Sequence, residues 1–219
     1  CRSELSAMAV WGHPILQAED VSVARGGQVF LKHVTFAVQP GAVLILKAPN
    51  GFGKTTLLRT LAGLQPVLSG RVHLDPDTAI YAGHTDGLKP TLSVVENLRF
   101  WADIFGTDTI TDSLRLFELE ALQTRLAGSL SAGQKRRLGL SRLWLAKRRM
   151  WLLDEPTVSL DQQAVGQFAA MVGAHLQAGG AAVIATHIDL GLDTRAQILD
   201  LVQFEAKGAA LERADEAFL

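Results

Sequence analysis

The sequence predicts an α/β domain built on a parallel sheet. Three observations carry that reading. Apolar runs at 42–46, 150–153 and 181–185 have the make-up of strands buried on both faces. Helical patterns lie between them. The first run also leads through Ala48-Pro49-Asn50-Gly51-Phe52-Gly53-Lys54-Thr55-Thr56 into an apolar helix at 57–62. Strand, glycine loop and helix in that order are the setting of a phosphate-binding P-loop, with Ala48 in place of the first glycine.

The remaining elements follow in order. Residues 21–24 and 34–38 alternate apolar and polar, as half-buried antiparallel strands do, with a turn at Arg25-Gly26-Gly27-Gln28. Pro40-Gly41 precedes the first buried strand. Gly63 suits the C′ position of the loop helix, and Pro66 prevents its continuation. Residues 70–74 and 78–82 are short strand candidates. From Ser93 to Lys147 the pattern is mostly helical. Ser93 and Glu96 make a capping box for a helix at 94–105, closed by Gly106. Helices follow at 111–117 and 120–126. Ser131 and Gln134 open a further helix that runs into Lys147-Arg148-Arg149. Those charges suit a helix C-terminus, and no aromatic residues interleave them as in a nucleic-acid patch. Asp161 caps a helix to Leu176, with Leu160 and Val165 as a hydrophobic staple. Gly179-Gly180 ends it. A last strand spans 196–202, and a charged tail spans 204–219. The expectation is one domain over 1–219, with an antiparallel β subdomain first and a helical subdomain inserted at about 88–147.

The composition narrows the function. Net charge is −1 over 219 residues, which gives no electrostatic reason to bind nucleic acid. The single cysteine, Cys1, excludes an intrachain disulfide framework. Hydrophobic residues make up 48% and the mean hydropathy is +0.19, yet no apolar run nears the roughly 20 residues that cross a bilayer. Residues 1–12 lack the basic start and apolar core of a secretory signal.

Ligands of open parallel sheets sit beyond the carboxyl ends of the strands. Three such ends carry polar groups here: the glycine loop, Asp154-Glu155 and His187. Asn50, Gly51, Gly53, Lys54, Thr55 and Thr56 form the candidate phosphate cradle. Lys54 would reach the β- and γ-phosphates, and Thr55 would ligate Mg²⁺. Asp154 would hold the same ion, through water, while Glu155 acts as general base. His187 would hydrogen-bond the γ-phosphate and orient the attacking water. Ser131 and Gly133 open a second helix that can meet an anion. Because one sheet already supplies a full cradle, that second site suits the nucleotide of another subunit.

Leu130-Ser131-Ala132-Gly133-Gln134 followed by Lys135-Arg136-Arg137 resembles the signature motif of ABC transporter ATPases. Residues 153–157 and 159–161 resemble that family's Walker B and D-loop, and His187 falls at its switch histidine. The resemblance runs from about Leu16 to about Val202. It implies the ABC-type nucleotide-binding fold and a head-to-tail dimer of two copies of the chain. In that dimer ATP lies between Lys54 of one chain and Ser131 and Gly133 of the other, and Asp161 links the two sites. Tyr81-Ala82-Gly83-His84, Gly87-Leu88-Lys89, Leu92-Ser93, Glu96-Asn97-Leu98 and residues 141–146 are similar to the haem exporter subfamily of cytochrome c maturation. That likeness implies a peripheral subunit on the cytoplasmic face of a bacterial inner membrane. It would pair with integral membrane subunits and meet haem only indirectly. The alternatives are a soluble ABC ATPase driving assembly of a cofactor or complex, and a transporter subunit for another substrate. His73, His84 and His175 read as ordinary surface or packing residues.

The chain departs from the family at four points. Ala48 replaces a glycine, and bulky Phe52 must point away from the phosphates. Thr85 stands at the Q-loop glutamine, which predicts slow hydrolysis. Arg25 stands where relatives stack an aromatic residue on adenine, with Phe30 as the other candidate for that contact.

Overall fold

The computed structural model describes residues 13–192 and 196–206. β1 (Leu16–Arg25) and β2 (Gln28–Val38) form an antiparallel hairpin, and β4 (Ser69–His73) pairs on the other side of β1. Arg25 pairs with Gln28, which leaves Gly26-Gly27 as a two-residue turn with φ of 58° and 85°. Positive φ at both centres suits a type I′ hairpin and favours glycine.

The second sheet is parallel. Its order is β5 (Ala79–Ala82), β6 (Met150–Asp154), β7 (Ala181–Ala185), β3 (Val43–Lys47) and β8 (Ala196–Asp200). β6 and β7 are buried at every residue, as their unbroken apolar runs require. Side-chain alternation divides the core into two layers. Leu44, Leu46, Leu152 and Val183 join Leu57, Leu58 and Leu61 of α1 (Lys54–Leu61) and the inner residues of β1 and β2. Val43, Ile45, Trp151, Leu153 and Ile184 face the other way. They pack with α2 (Val94–Phe105), α3 (Thr111–Leu116), α4 (Ala132–Ala146) and α5 (Gln162–Gln177). α2, α3 and α4 all lie between β5 and β6 in the chain.

The capping boxes at Ser93 and Ser131 are both complete, and Asp161 caps α5 by accepting from the Ala164 amide. Gly106 and Gly63 exit their helices in the left-handed region. Three expectations change. Residues 120–126 form a single 3₁₀ turn at Glu120–Leu122, because Leu126 is extended. The last strand stops at Asp200, whose side chain accepts from the Val202 amide and starts a 3₁₀ turn at Leu201–Phe204. α4 ends at Ala146, and Lys147 turns left-handed with φ 48°, so the three basic residues stand beyond the helix. The expectations for 1–12 and for most of the charged tail lie outside the described residues.

Candidate functional site

Strand register builds the site. Leu46 and Asp154 both stand level with Ala185, and Leu153 stands level with Ala82. The chain segments that follow β3, β5, β6 and β7 therefore leave the sheet together. The Glu155 amide donates to the Ala185 carbonyl at 2.9 Å, which continues the β6–β7 pairing past the strand end. Glu155 itself sits at φ 49°, so the backbone turns sharply at the second acid.

These ends enclose a cavity of about 840 Å³. Asn50, Gly51, Gly53, Lys54, Thr55 and Thr56 all line it, as do Asp154, Glu155, His187 and Arg25. Phe30 and Phe52 border it too, and Phe52 also packs against the core behind. Gly53 precedes α1 with φ 93° and no side-chain cap. A Cβ at Gly53 would meet the Phe30 Cβ at 2.8 Å, so both conformation and space call for glycine. The uncapped amides of α1 and its positive end suit an anion.

The side chains converge as follows. Thr55 Oγ1 donates to Asp154 Oδ2 at 2.7 Å. Lys54 Nζ donates to the Ala48 carbonyl at 2.7 Å and the Pro49 carbonyl at 3.2 Å. Burial pushes its ammonium below the usual lysine value, and the charges of Glu155 and Asp154 oppose that. His187 Nε2 lies 3.2 Å from Lys54 Nζ, 3.2 Å from Asn50 Oδ1 and 3.4 Å from Glu155 Oε1. That nitrogen can accept from the lysine or donate to an oxygen, but not both at once.

Asp154 is fully buried, and its Oδ1 has no hydrogen-bond partner among the described residues. No group of three or more His, Cys, Asp or Glu suited to a metal occurs among the described residues. A divalent cation here would thus draw its ligands from one carboxylate, one hydroxyl, water and a bound phosphate. Oxygen-only donors of that kind fit Mg²⁺.

Ser131, Gly133 and Asp161 do not reach this cavity. They line a separate one of about 340 Å³, with Ser159 and Gln134. Three residues that touch the acidic segment were not read from the sequence as site residues. Tyr81 OH lies 3.5 Å from Asp154 Oδ2, and His84 Nε2 lies 3.3 Å from the same oxygen. Burial, and then the charge of Asp154, pushes the Tyr81 phenol up to about 12. Buried Arg136 donates to the carbonyls of Glu155 at 2.8 Å and Pro156 at 2.9 Å, and pairs with Asp86 at 3.0 Å. The strand order, which sets β5 beside β6, brings Tyr81 and His84 to the acidic segment, and α4 brings Arg136. No helix among the described residues is long and apolar enough to cross a membrane.

The ABC transporter family model matches residues 31–158. The cytochrome c biogenesis ATP-binding export protein CcmA of Ruegeria pomeroyi is 58% identical over 204 residues, covering 93% of this chain and 99% of that protein. The CcmA of Paracoccus denitrificans is 59% identical over 192 residues, covering 88% and 91%. Among solved structures, a putative ABC transporter ATP-binding protein from Pyrococcus furiosus superposes with a TM-score of 0.78 at 24% identity, covering 87% of this chain and 99% of that one. An ATP-binding cassette solved as a dimer after hydrolysis, with ADP and Pi, gives 0.74 at 21% identity, covering 85% and 94%. At these identities the two structures attest to the fold.

Proposed function

Since the chain belongs to the ABC transporter family and is an ABC-type ATPase, we propose that it powers the export step of c-type cytochrome biogenesis. It does so as the ATP-binding subunit of a haem-handling membrane complex. The pathway draws its support from relatives 58% identical across nearly their whole length. The chemistry rests on one observation above all: Thr55 Oγ1 meets Asp154 Oδ2 at 2.7 Å, with the other oxygen of that buried carboxylate unpartnered among the described residues, beside Lys54 at the mouth of an uncapped helix.

The residues divide the work of phosphoryl transfer. Lys54 exchanges its two carbonyl partners for β- and γ-phosphate oxygens, and the α1 amides hold the same charge. Thr55 and, through water, Asp154 would hold Mg²⁺, which when bound would supply neutralising charge for the phosphates. Glu155 takes the proton of the attacking water as that oxygen bonds to the γ-phosphorus and the β–γ bridging bond breaks, leaving ADP and phosphate. His187 orients the water, and Asn50 beside it steadies the imidazole. Arg25 offers its guanidinium plane to the adenine.

Ser131, Gly133 and Asp161 lie in their own cavity, which supports a head-to-tail dimer in which each copy completes the other's site. Integral membrane subunits would bind this dimer at the cytoplasmic face of the inner membrane.

The first test uses cells whose sole gene copy carries Lys54→Ala. Covalent c-type haem should be lost while apocytochromes are still made. Unchanged cytochromes would sink the pathway. A second test uses Glu155→Gln, which should bind ATP, stop turnover and accumulate as a dimer on size exclusion. Normal turnover in that variant would remove Glu155 as general base.

A further inference from the structure

Lys147, Arg148 and Arg149 take no part in the reaction above, and no basic residue lies in the last turn of α4. They border a cavity of about 420 Å³ at the start of β6, the far end of that strand from Asp154. We propose that this cavity binds a flat organic monoanion such as an aromatic carboxylate. Such binding is independent of the ATPase reading.

The wall is largely apolar and rich in rings. Leu143 and Trp144 come from α4, and Trp151 is the second residue of β6. His175 of α5 stacks on Trp151, with ring centroids 3.8 Å apart and planes within 7° of each other. Its Nε2 faces the carbonyls of Arg149 at 3.1 Å and Ala181 at 3.3 Å, and burial favours the neutral ring. His175 therefore adds surface to the wall and no charge. Gly180 makes room for it, because a Cβ there would overlap the imidazole. Trp151 is 2% exposed, and its indole N–H has no acceptor among the described residues. A ligand that brings an oxygen to this wall supplies the kind of partner that the indole lacks. Cavities of roughly 300–1,000 Å³ with apolar walls and a few polar groups hold small molecules, and this one is at the small end of that range.

The charge balance around the cavity sets the charge of the ligand. α4 and α5 both end here, and each helix C-terminus carries about half a negative charge. Asp112 on the rim adds a full one, and its nearest cation is Arg115 at 3.9 Å. Against these stand three cations. Lys147 and Arg149 are exposed, while Arg148 is half-buried and donates to the Asp77 carbonyl. None of the three pairs with a carboxylate among the described residues. Three cations against about two negative charges leave a surplus of about one positive charge. That surplus suits a single carboxylate, and the ringed wall suits a flat body behind it.

The test uses the purified full chain with isotope-labelled tryptophan indoles, followed by two-dimensional NMR. The probe is naphthoate, with naphthylmethanol as its neutral counterpart. The four tryptophan signals are assigned by single substitutions to phenylalanine. Naphthoate should move the Trp144 and Trp151 signals saturably, with a Kd below about 1 mM, and leave Trp101 in place. The alcohol should bind about fivefold more weakly. In a variant carrying Lys147→Asn and Arg149→Gln, affinity for naphthoate should fall about tenfold. Tm should stay within about two degrees, since both side chains are exposed. Wild-type affinity in that variant would overturn the proposal, as would equal binding of the alcohol or no saturable shift of Trp144 and Trp151. Tighter binding of hexaglutamate at the same two signals would also overturn it, in favour of an acidic protein segment.

Discussion

Two helix N-termini in this molecule look alike in sequence and differ in what they leave unsatisfied. α1 begins after Gly53, whose left-handed backbone offers no side chain to cap the first turn. α4 begins after Ser131, whose hydroxyl accepts from the Gln134 amide at 3.3 Å while Gln134 Oε1 accepts from the Ser131 amide at 3.0 Å. Both are positive ends without an acid in the first turn. The first suits an anion by itself, because no side chain caps its first turn. The second has its Ser131 and Gln134 amides satisfied by the capping box, so it presents less unpaired N–H to a ligand. A Cβ at Gly133 would come within 2.9 Å of the Ser159 carbonyl, so the D-loop lies directly on that glycine. The two cavities share no lining residue. The proposed function therefore assigns a complete cradle to the first and a half-site to the second.

The largest effect that tests this contrast is Lys54→Ala. It should weaken ATP binding to the single chain by about a hundredfold, on the order of 2.7 kcal/mol. A fluorescent-nucleotide titration reads this directly, and a loss below about threefold would mean that the α1 cradle does not hold the phosphates. Gly53→Ala should come next. It forces alanine to φ 93° against Phe30 and should cost about 2 kcal/mol of stability, seen as a lower midpoint in urea. Ser131→Ala should cost about 1 kcal/mol through the lost cap. It should leave ATP affinity of the single chain within about twofold and lower turnover about tenfold. Parallel losses of affinity in the Lys54 and Ser131 variants would erase the distinction between cradle and half-site.

The smallest effect lies at the opposite end of the sheet, where neither site reaches. His175 stacks on Trp151 with centroids 3.8 Å apart, and its Nε2 lies 3.1 Å from the Arg149 carbonyl. Burial holds its pKa below the ordinary value of 6.5, although the two carbonyl contacts oppose this. The folded chain thus keeps His175 neutral while the unfolded chain takes up a proton near 6.5. Stability from this residue is present above about pH 6.5 and is lost as pH falls through the folded value. His175→Phe keeps a stacked ring and has no proton to bind, so its denaturation midpoint should fall less between pH 7 and 5. An identical acid limb in both proteins would remove His175 as its source.

Much of this was legible because it is local. A capping box needs four residues, a phosphate loop nine, and a buried parallel strand five apolar residues in a row. Ser93 with Glu96, Ser131 with Gln134 and the run from Ala48 to Thr56 therefore specify their own geometry wherever the chain places them. Residues 120–126 misled for the same reason: a short helical pattern is marginal in isolation, and here the chain leaves the helical region by Leu126.

What the sequence by itself determined is the kind of chemistry: a phosphate cradle, two acids after a buried strand, and a histidine after another. The tertiary structure alone decided who stands beside them. The order β5-β6-β7-β3-β8 sets the end of β5 next to the end of β6, although α2, α3 and α4 separate them along the chain. That neighbourhood brings Tyr81 and His84 to Asp154, and it puts the Arg136 guanidinium under both segments. The contact between Tyr81 and Asp154, 73 positions apart, follows from strand order and register, which no local pattern encodes.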